Sequence, residues 1–162
     1  MRVEIERKYL VADDRWRKGA TIGSVFRQAY MTAAKDRSVR IGTIDASRAT
    51  LTVKICTGEL RRDEFEYHLP YCEALELIKH RIGVVIEKTR YDVTHRGHVW
   101  EIDVYGGAHR GLVVAEIELQ DASEAFPLPA WVGREITGEQ SYSNRILAMA
   151  KEREFFAESY LN

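Results

Sequence analysis

Charged side chains recur at every second residue in several stretches of this chain: Glu4, Glu6 and Lys8; Arg62, Glu64 and Glu66; Lys88 and Arg90; Glu101 and Asp103; Glu116 and Glu118. Residues two apart on an extended backbone line the same face. Each stretch therefore presents a row of charge on one side of a strand. Two carboxylates 4 Å apart repel by about 4 kcal/mol at an effective dielectric near 20, so the same-sign neighbours need compensation. Paired carboxylates suit hard cations such as Mg²⁺ or Mn²⁺, and lysine and arginine suit the oxygens of a phosphate that those cations accompany. The chemistry these residue types fit is the handling of an anion together with its metal ions.

The opposite side of the same stretches is apolar: Val3, Ile5 and Tyr9; Phe65, Tyr67 and Leu69; Trp100, Ile102 and Val104; Ala115, Ile117 and Leu119; and Leu51, Val53 and Ile55 opposite Thr52 and Lys54. This alternation, rich in β-branched and aromatic residues, predicts strands over 2–11, 24–32, 37–43, 49–57, 60–69, 84–95, 98–106 and 112–120. About eight strands suffice to close a barrel. Turn signals at Thr57-Gly58-Glu59, at Arg96-Gly97 and around Gly106, Gly107 and Gly111 join several of them as antiparallel hairpins. In an open sheet the charged face would meet water. In a closed barrel with that face inward, the acidic doublets could hold Mg²⁺ or Mn²⁺ and the basic residues could clamp phosphate oxygens.

Two helices are expected. After Pro70, the run Cys72, Leu75, Ile78, Ile82 has helical spacing, with Gly83 as its stop. From about Ser143, residues Ile146, Leu147 and Ala150 form an apolar stripe. Both helices are expected to cover the apolar outer face. The fold class is therefore α+β: a closed antiparallel β-barrel of about eight strands forming a polar tunnel, with helices packed outside, as a single domain over residues 1–162.

Composition narrows the function classes. With 24 Lys and Arg against 25 Asp and Glu, the formal net charge is -1, which gives no global field to recruit nucleic acid or an anionic membrane. No apolar run is long enough to span a bilayer, and the first residues lack a signal-peptide core, so a cytoplasmic location is expected. Cys56 and Cys72 make no disulfide framework or zinc spacing and are read as reduced thiols in or near the core.

The N-terminal Glu4-Ile5-Glu6-Arg7-Lys8 resembles the E-x-E-x-K signature of the CYTH superfamily, also called triphosphate tunnel metalloenzymes. The start MRVEIERKYLV looks like the short bacterial branch associated with inorganic triphosphatase activity. Further segments follow in the family's order: Arg27-Gln28-Ala29-Tyr30, Thr52-Val53-Lys54, Arg62-Asp63-Glu64-Phe65-Glu66, Glu87-Lys88-Thr89-Arg90-Tyr91, Glu101-Ile102-Asp103, Glu116-Ile117-Glu118 and Tyr142-Ser143-Asn144. The resemblance implies that Glu4, Glu6 and Glu118 coordinate the metal that orients the triphosphate, with Glu116 and Asp103 near a second metal. It implies that Lys8, Arg27, Arg40, Lys54 and Arg90 bind phosphate oxygens. Glu64 and Glu66 would support the metal or hold the basic side chains, with Arg62 and Glu101 also in supporting positions. Lys88 and Tyr30 match a pair that helps activate the attacking water.

The implied activity is metal-dependent hydrolysis of inorganic triphosphate, with Mg²⁺ or Mn²⁺ as cofactor. The substrate is a triphosphate-containing small molecule, with no nucleic acid or membrane as partner and a homodimer left open. The alternatives are a thiamine triphosphatase, a class IV adenylyl cyclase-like activity, or a non-catalytic tunnel for polyphosphate or nucleotide; a lipocalin-like carrier would need an apolar interior. One departure stands out. The family carries R-x-R on the third strand, whereas Arg40 has Ser38 and Gly42 at the flanking same-face positions. Arg37 falls on the opposite face and Arg48 in a loop, so a phosphate clamp is missing or comes from elsewhere. His95 and His98 read as turn residues, Trp16, Trp100 and Trp131 as packing residues, and Tyr142 and Asn144 either as anchors of the last helix or as substrate contacts.

Overall fold

The computed structural model describes residues 1–150. Nine strands run in chain order as β1 (Arg2–Val11), β2 (Ser24–Ala33), β3 (Arg37–Ile44), β4 (Arg48–Cys56), β5 (Arg61–Leu69), β6 (Ile82–His95), β7 (His98–Tyr105), β8 (Val113–Glu118) and β9 (Val132–Glu135). Helix α1 (Tyr71–Lys79) follows β5, and α2 (Asn144–Met149) follows β9. The strands lie in the order β5-β4-β3-β2-β6-β7-β8-β1. Antiparallel pairing of Arg2–Ile5 with Arg61–Glu64 then joins β1 to β5 and closes an eight-stranded barrel. β9 adds beside the far end of β1, at Tyr9 and Val11. Its four residues are too short for the alternation that predicts the other strands.

The hairpins follow their local chemistry. Arg96 and Gly97 both take positive φ (46° and 82°) between the paired His95 and His98, the backbone a tight two-residue turn demands. His95 is a turn residue as expected, whereas His98 also bonds Glu124 at 3.2 Å and packs against Phe126.

Three apolar clusters hold the barrel. The outward rows of β2, β3 and β4 supply Ala29, Ile41 and Ala49, and α1 covers them with Ala74 and Ile78. The outward rows of β1, β7 and β8 are covered by Trp16, from a short 3-10 helix at Asp14–Gly19, and by Trp131. Trp16, Trp100 and Trp131 are all buried packing residues. The third cluster departs from expectation. Leu147 and Ala148 of α2 pack on Leu10, Ile86, Tyr105 and Val114, which by alternation continue the inward rows of Lys8, Lys88, Asp103 and Glu116. Of the two α-helices, α1 covers the outer wall beside Trp16 and Trp131, and α2 instead stoppers part of one end of the barrel.

Three further expectations are corrected. The α1 stripe is Ala74 and Ile78, with Cys72 exposed, and the helix ends at Lys79, not Gly83. Gly83 lies inside β6 at φ +66°, where the β2–β6 register slips, and a Cβ there would come within 2.1 Å of the Ala148 carbonyl oxygen. Both cysteines are exposed, not near-core. Extension of the last helix beyond Ala150 lies outside the described residues.

Candidate active site

The inward rows surround a cavity of about 180 Å³, which continues into a vestibule of about 110 Å³ beside the start of α2. Glu6, Lys8, Arg40, Lys54 and Asn144 line both. Cross-strand pairing answers the like-charge repulsion along each row. Lys54 Nζ of β4 lies 2.7 Å from Glu4 and 3.2 Å from Glu64. Lys8 Nζ lies 2.9 Å from Glu116 and 3.3 Å from Glu6, which Arg62 also meets at 3.0 Å. Arg90 of β6 donates to Asp103 at 2.6 and 2.7 Å, to Glu101 at 2.5 Å and to Glu116 at 2.9 Å. The carboxylates cluster on the neighbouring strands β7, β8, β1 and β5, and Lys54 of β4, Lys88 and Arg90 of β6, with Lys8 and Arg62 among them, neutralise what a single strand cannot.

These pairs set the electrostatics. Burial pushes the Glu116 carboxyl up, but Lys8, Arg90 and Lys88 outweigh it and hold the group well below the usual carboxylate range. Glu6 is likewise held low against burial, chiefly by Lys8. Glu4 goes the other way, pushed up by burial and by the neighbouring Glu6 charge. Burial raises Glu101 to about 7, with Arg90 opposing and Glu116 and Asp103 reinforcing the rise. Lys88 is fully buried, 2.5 Å from Asp103; burial pulls its ammonium below the ordinary lysine range, with Asp103 opposing and Arg90 adding to the fall.

Of the residues singled out from the sequence, the cavity gathers Glu4, Glu6, Lys8, Arg40, Lys54, Glu64, Glu66, Lys88, Arg90, Glu101, Glu116 and Glu118. Tyr30 and Arg62 line the vestibule. Two do not reach the cavity surface. Arg27 projects outward, 44% exposed and 3.7 Å from Glu87. Its odd separation from Tyr30 puts the two on opposite faces, a consequence of alternation that the motif match overrides. Asp103 belongs to the inward row but is 0% exposed, covered where it anchors Lys88 and Arg90. Lys88 and Tyr30 share no hydrogen bond among the described residues; the ring nearest the Lys88 ammonium is that of Tyr105, 5.6 Å away.

Arg40 differs from its neighbours. It makes no hydrogen bond or ion pair among the described residues, and its Nε is buried without an acceptor. At Gly42, where a second clamp would stand, a Cβ would meet only Thr50 and Gln28, and the buried Gln28 Oε1 also lacks a partner. Neither alternative arginine fills the gap: Arg37 bonds Asp36 at the rim of the vestibule and Arg48 faces Asp45, both with largely exposed side chains. Sequence reasoning missed Phe26 and Gln28, which alternation from Tyr30 would have found, and Tyr105, two residues beyond Asp103. The Tyr105 hydroxyl donates to Asn144 Oδ1 at 2.6 Å. Asn144 therefore both anchors α2 and lines the cavity, while Ser143 caps the helix by accepting from the Ile146 amide.

The donor set fits a hard divalent cation. Glu6 and Glu118 stand directly opposite each other across β1 and β8, with Glu4 two residues along the same face, and like charges in that position destabilise a sheet unless a cation intervenes. Arg2 meets Glu118 at the rim. Among the described residues no three His, Cys, Asp or Glu side chains already converge as a cluster for an ion; Glu6 is paired with Lys8 and Arg62 and Glu118 with Arg2, so these carboxylates would hold a cation in competition with those bases.

The CYTH domain pattern matches residues 2–148. An inorganic triphosphatase of Acetivibrio thermocellus is 39% identical over 153 residues, covering 94% of this chain and 97% of the relative. One of Nitrosomonas europaea is 33% identical over 150 residues, covering 91% and 97%. A crystal structure of an inorganic triphosphatase superposes with a TM-score of 0.67 at 29% identity, covering 94% of this chain and 99% of the other. With the inward charged rows, the closed eight-stranded barrel and a match over nearly its whole length, the chain belongs to the CYTH family.

Proposed function

We propose that this chain hydrolyses inorganic triphosphate to pyrophosphate and phosphate inside the barrel, with Mg²⁺ or Mn²⁺ held by Glu4, Glu6 and Glu118. The observation that carries the reading is Arg40, a tunnel arginine whose buried Nε has no acceptor in a cavity whose other bases are matched to carboxylates. A phosphate oxygen is the acceptor it lacks. The names of the relatives support the same substrate.

Phosphoryl transfer needs positioning and charge neutralisation more than covalent help from the protein. Arg40, Lys54, Lys8 and Arg90 would hold the phosphate oxygens. A bound divalent cation supplies further neutralisation and orients the chain of phosphates. Water attacks the terminal phosphorus, the bond to the bridging oxygen breaks, and pyrophosphate leaves with that electron pair. Lys88 Nζ, in its neutral form, takes the proton from the water, with Tyr30 orienting it; burial already favours the neutral amine. Asp103 holds Lys88 and Arg90 in place and is a positioning residue, not a metal ligand.

The test is phosphate release by the purified protein from triphosphate, thiamine triphosphate and ATP, with and without Mg²⁺ or Mn²⁺. Metal-dependent release fastest from inorganic triphosphate is expected. No metal-dependent release overturns the reading, and a preference for either ester moves the substrate to that class.

A further inference from the structure

The two ends of the cavity differ in charge. Lys35, Arg37, Arg62 and Arg145 belong to the vestibule, where Glu6 is the sole carboxylate in the lining. The cavity toward the opposite mouth adds six carboxylates, Glu4, Glu64, Glu66, Glu101, Glu116 and Glu118, against three bases, Arg2, Lys88 and Arg90, each of these bases paired with a carboxylate. Within the vestibule the bases are not equivalent. Arg37 is bonded to Asp36 at 2.7 Å and Arg62 to Glu6 at 3.0 Å. Lys35 makes no ion pair among the described residues, and Arg145 meets only the neutral amide of Gln140, at 3.2 Å.

We propose that triphosphate reaches the tunnel through this vestibule, drawn by Lys35 and Arg145 at its rim and passed to Arg40, which faces both spaces. The inference rests on the tunnel being a triphosphate site and adds which end admits the anion and which residues set its arrival. A polyanion nearing the acidic mouth meets like charge, whereas one nearing the vestibule meets bases not engaged by carboxylates. The bases also continue inward, since Arg40, Lys54 and Lys8 line both vestibule and cavity. Because α2 stoppers the β1, β6, β7 and β8 side of this end, the opening lies toward the ends of β3, β4 and β5. Charged clefts of this kind raise association rates of oppositely charged ligands by roughly tenfold to a thousandfold, and the gain fades with salt.

The test compares the parent protein with Lys35→Glu/Arg145→Glu and with Lys18→Glu, an exposed lysine outside the cavity lining. For the double variant, kcat/KM for triphosphate is expected to fall about tenfold at low ionic strength, with kcat unchanged and the gap closing at high salt; Lys18→Glu stays near the parent. An unchanged kcat/KM, an equal loss in Lys18→Glu, or a salt-independent loss carried by kcat overturns the proposal. Calorimetric titration with sodium triphosphate separates this from the hydrolytic reading. In a protein that binds without turnover, a Kd raised about tenfold in the double variant alone still supports the vestibule, and an unchanged Kd overturns it. Should Lys35→Glu/Arg145→Glu fold poorly, Lys35→Glu alone carries the same comparison, with a smaller shift.

Discussion

Lys88 sits between two demands. Burial strips its ammonium of water and favours the neutral amine, while Asp103 at 2.5 Å favours the charged form. As a base, Lys88 acts only when neutral, so activity should rise with pH through its titration. Lys88→Ala is expected to lower kcat by about 10²- to 10⁴-fold, the usual worth of a positioned base, with KM little changed. Asp103→Asn removes the charge that raises the Lys88 pKa; the rising, acid-side limb of the pH profile should therefore move to lower pH. A kcat unchanged in Lys88→Ala would remove Lys88 from the chemistry. A limb that stays fixed in Asp103→Asn would remove Asp103 from its tuning.

At the scale of elements, α2 ties the fold to the site. Its Asn144 accepts from Tyr105 and lines the cavity, and its last turn rests on Gly83, where only the absence of a Cβ lets the Ala148 carbonyl approach. Gly83→Ala combines a left-handed backbone with that clash and is expected to cost about 2–4 kcal/mol of stability, read as a lowered thermal midpoint. A variant as stable as the parent would show that α2 does not dock there. Most elements were legible in the sequence because alternation is a local signal: the eight barrel strands fall within about two residues of their expected bounds, the ordinary precision of such boundaries. The role of α2 was not legible, since an apolar stripe says that a helix packs but not on which surface. The inward rows were equally local, which is why alternation puts Glu4, Glu6, Lys54 and Lys88 on the face that lines the cavity. The outward direction of Arg27 follows from the two-residue period and not from the motif, and the cover over Asp103 was not legible because alternation gives a face but not how deeply other side chains bury it.

For the molecule as a whole, the charged interior makes stability depend on pH in two opposite ways. Glu116 and Glu6 are held low, so their contribution is present above about pH 4.5, the ordinary glutamate value, and is lost as pH falls through their folded pKa values. Glu101 is raised to about 7, so the folded state binds an extra proton between the ordinary glutamate value and 7, and stability declines as pH rises through that window. Its side chain is 44% exposed, and solvent screening limits that decline to about 1 kcal/mol or less. Metal-free protein should therefore be most stable near the ordinary glutamate value, where the two windows meet, and Glu101→Gln should flatten the decline toward pH 7. Thermal midpoints measured across pH for parent and variant check this; a Glu101→Gln curve that parallels the parent would contradict it.

The claim that joins these scales is that the inward face of the barrel, and not the outer one, handles triphosphate. Arg27 and Arg40 separate the two faces, since both fit the family's phosphate-binding pattern while only Arg40 faces the cavity. The measurement is kcat/KM for triphosphate in Arg40→Ala and Arg27→Ala under identical metal and salt. Arg40→Ala is expected to lose about 100-fold, the scale of removing one preorganised donor to a transition state, and Arg27→Ala to stay close to the parent. Comparable losses in both, or a greater loss in Arg27→Ala, would contradict it.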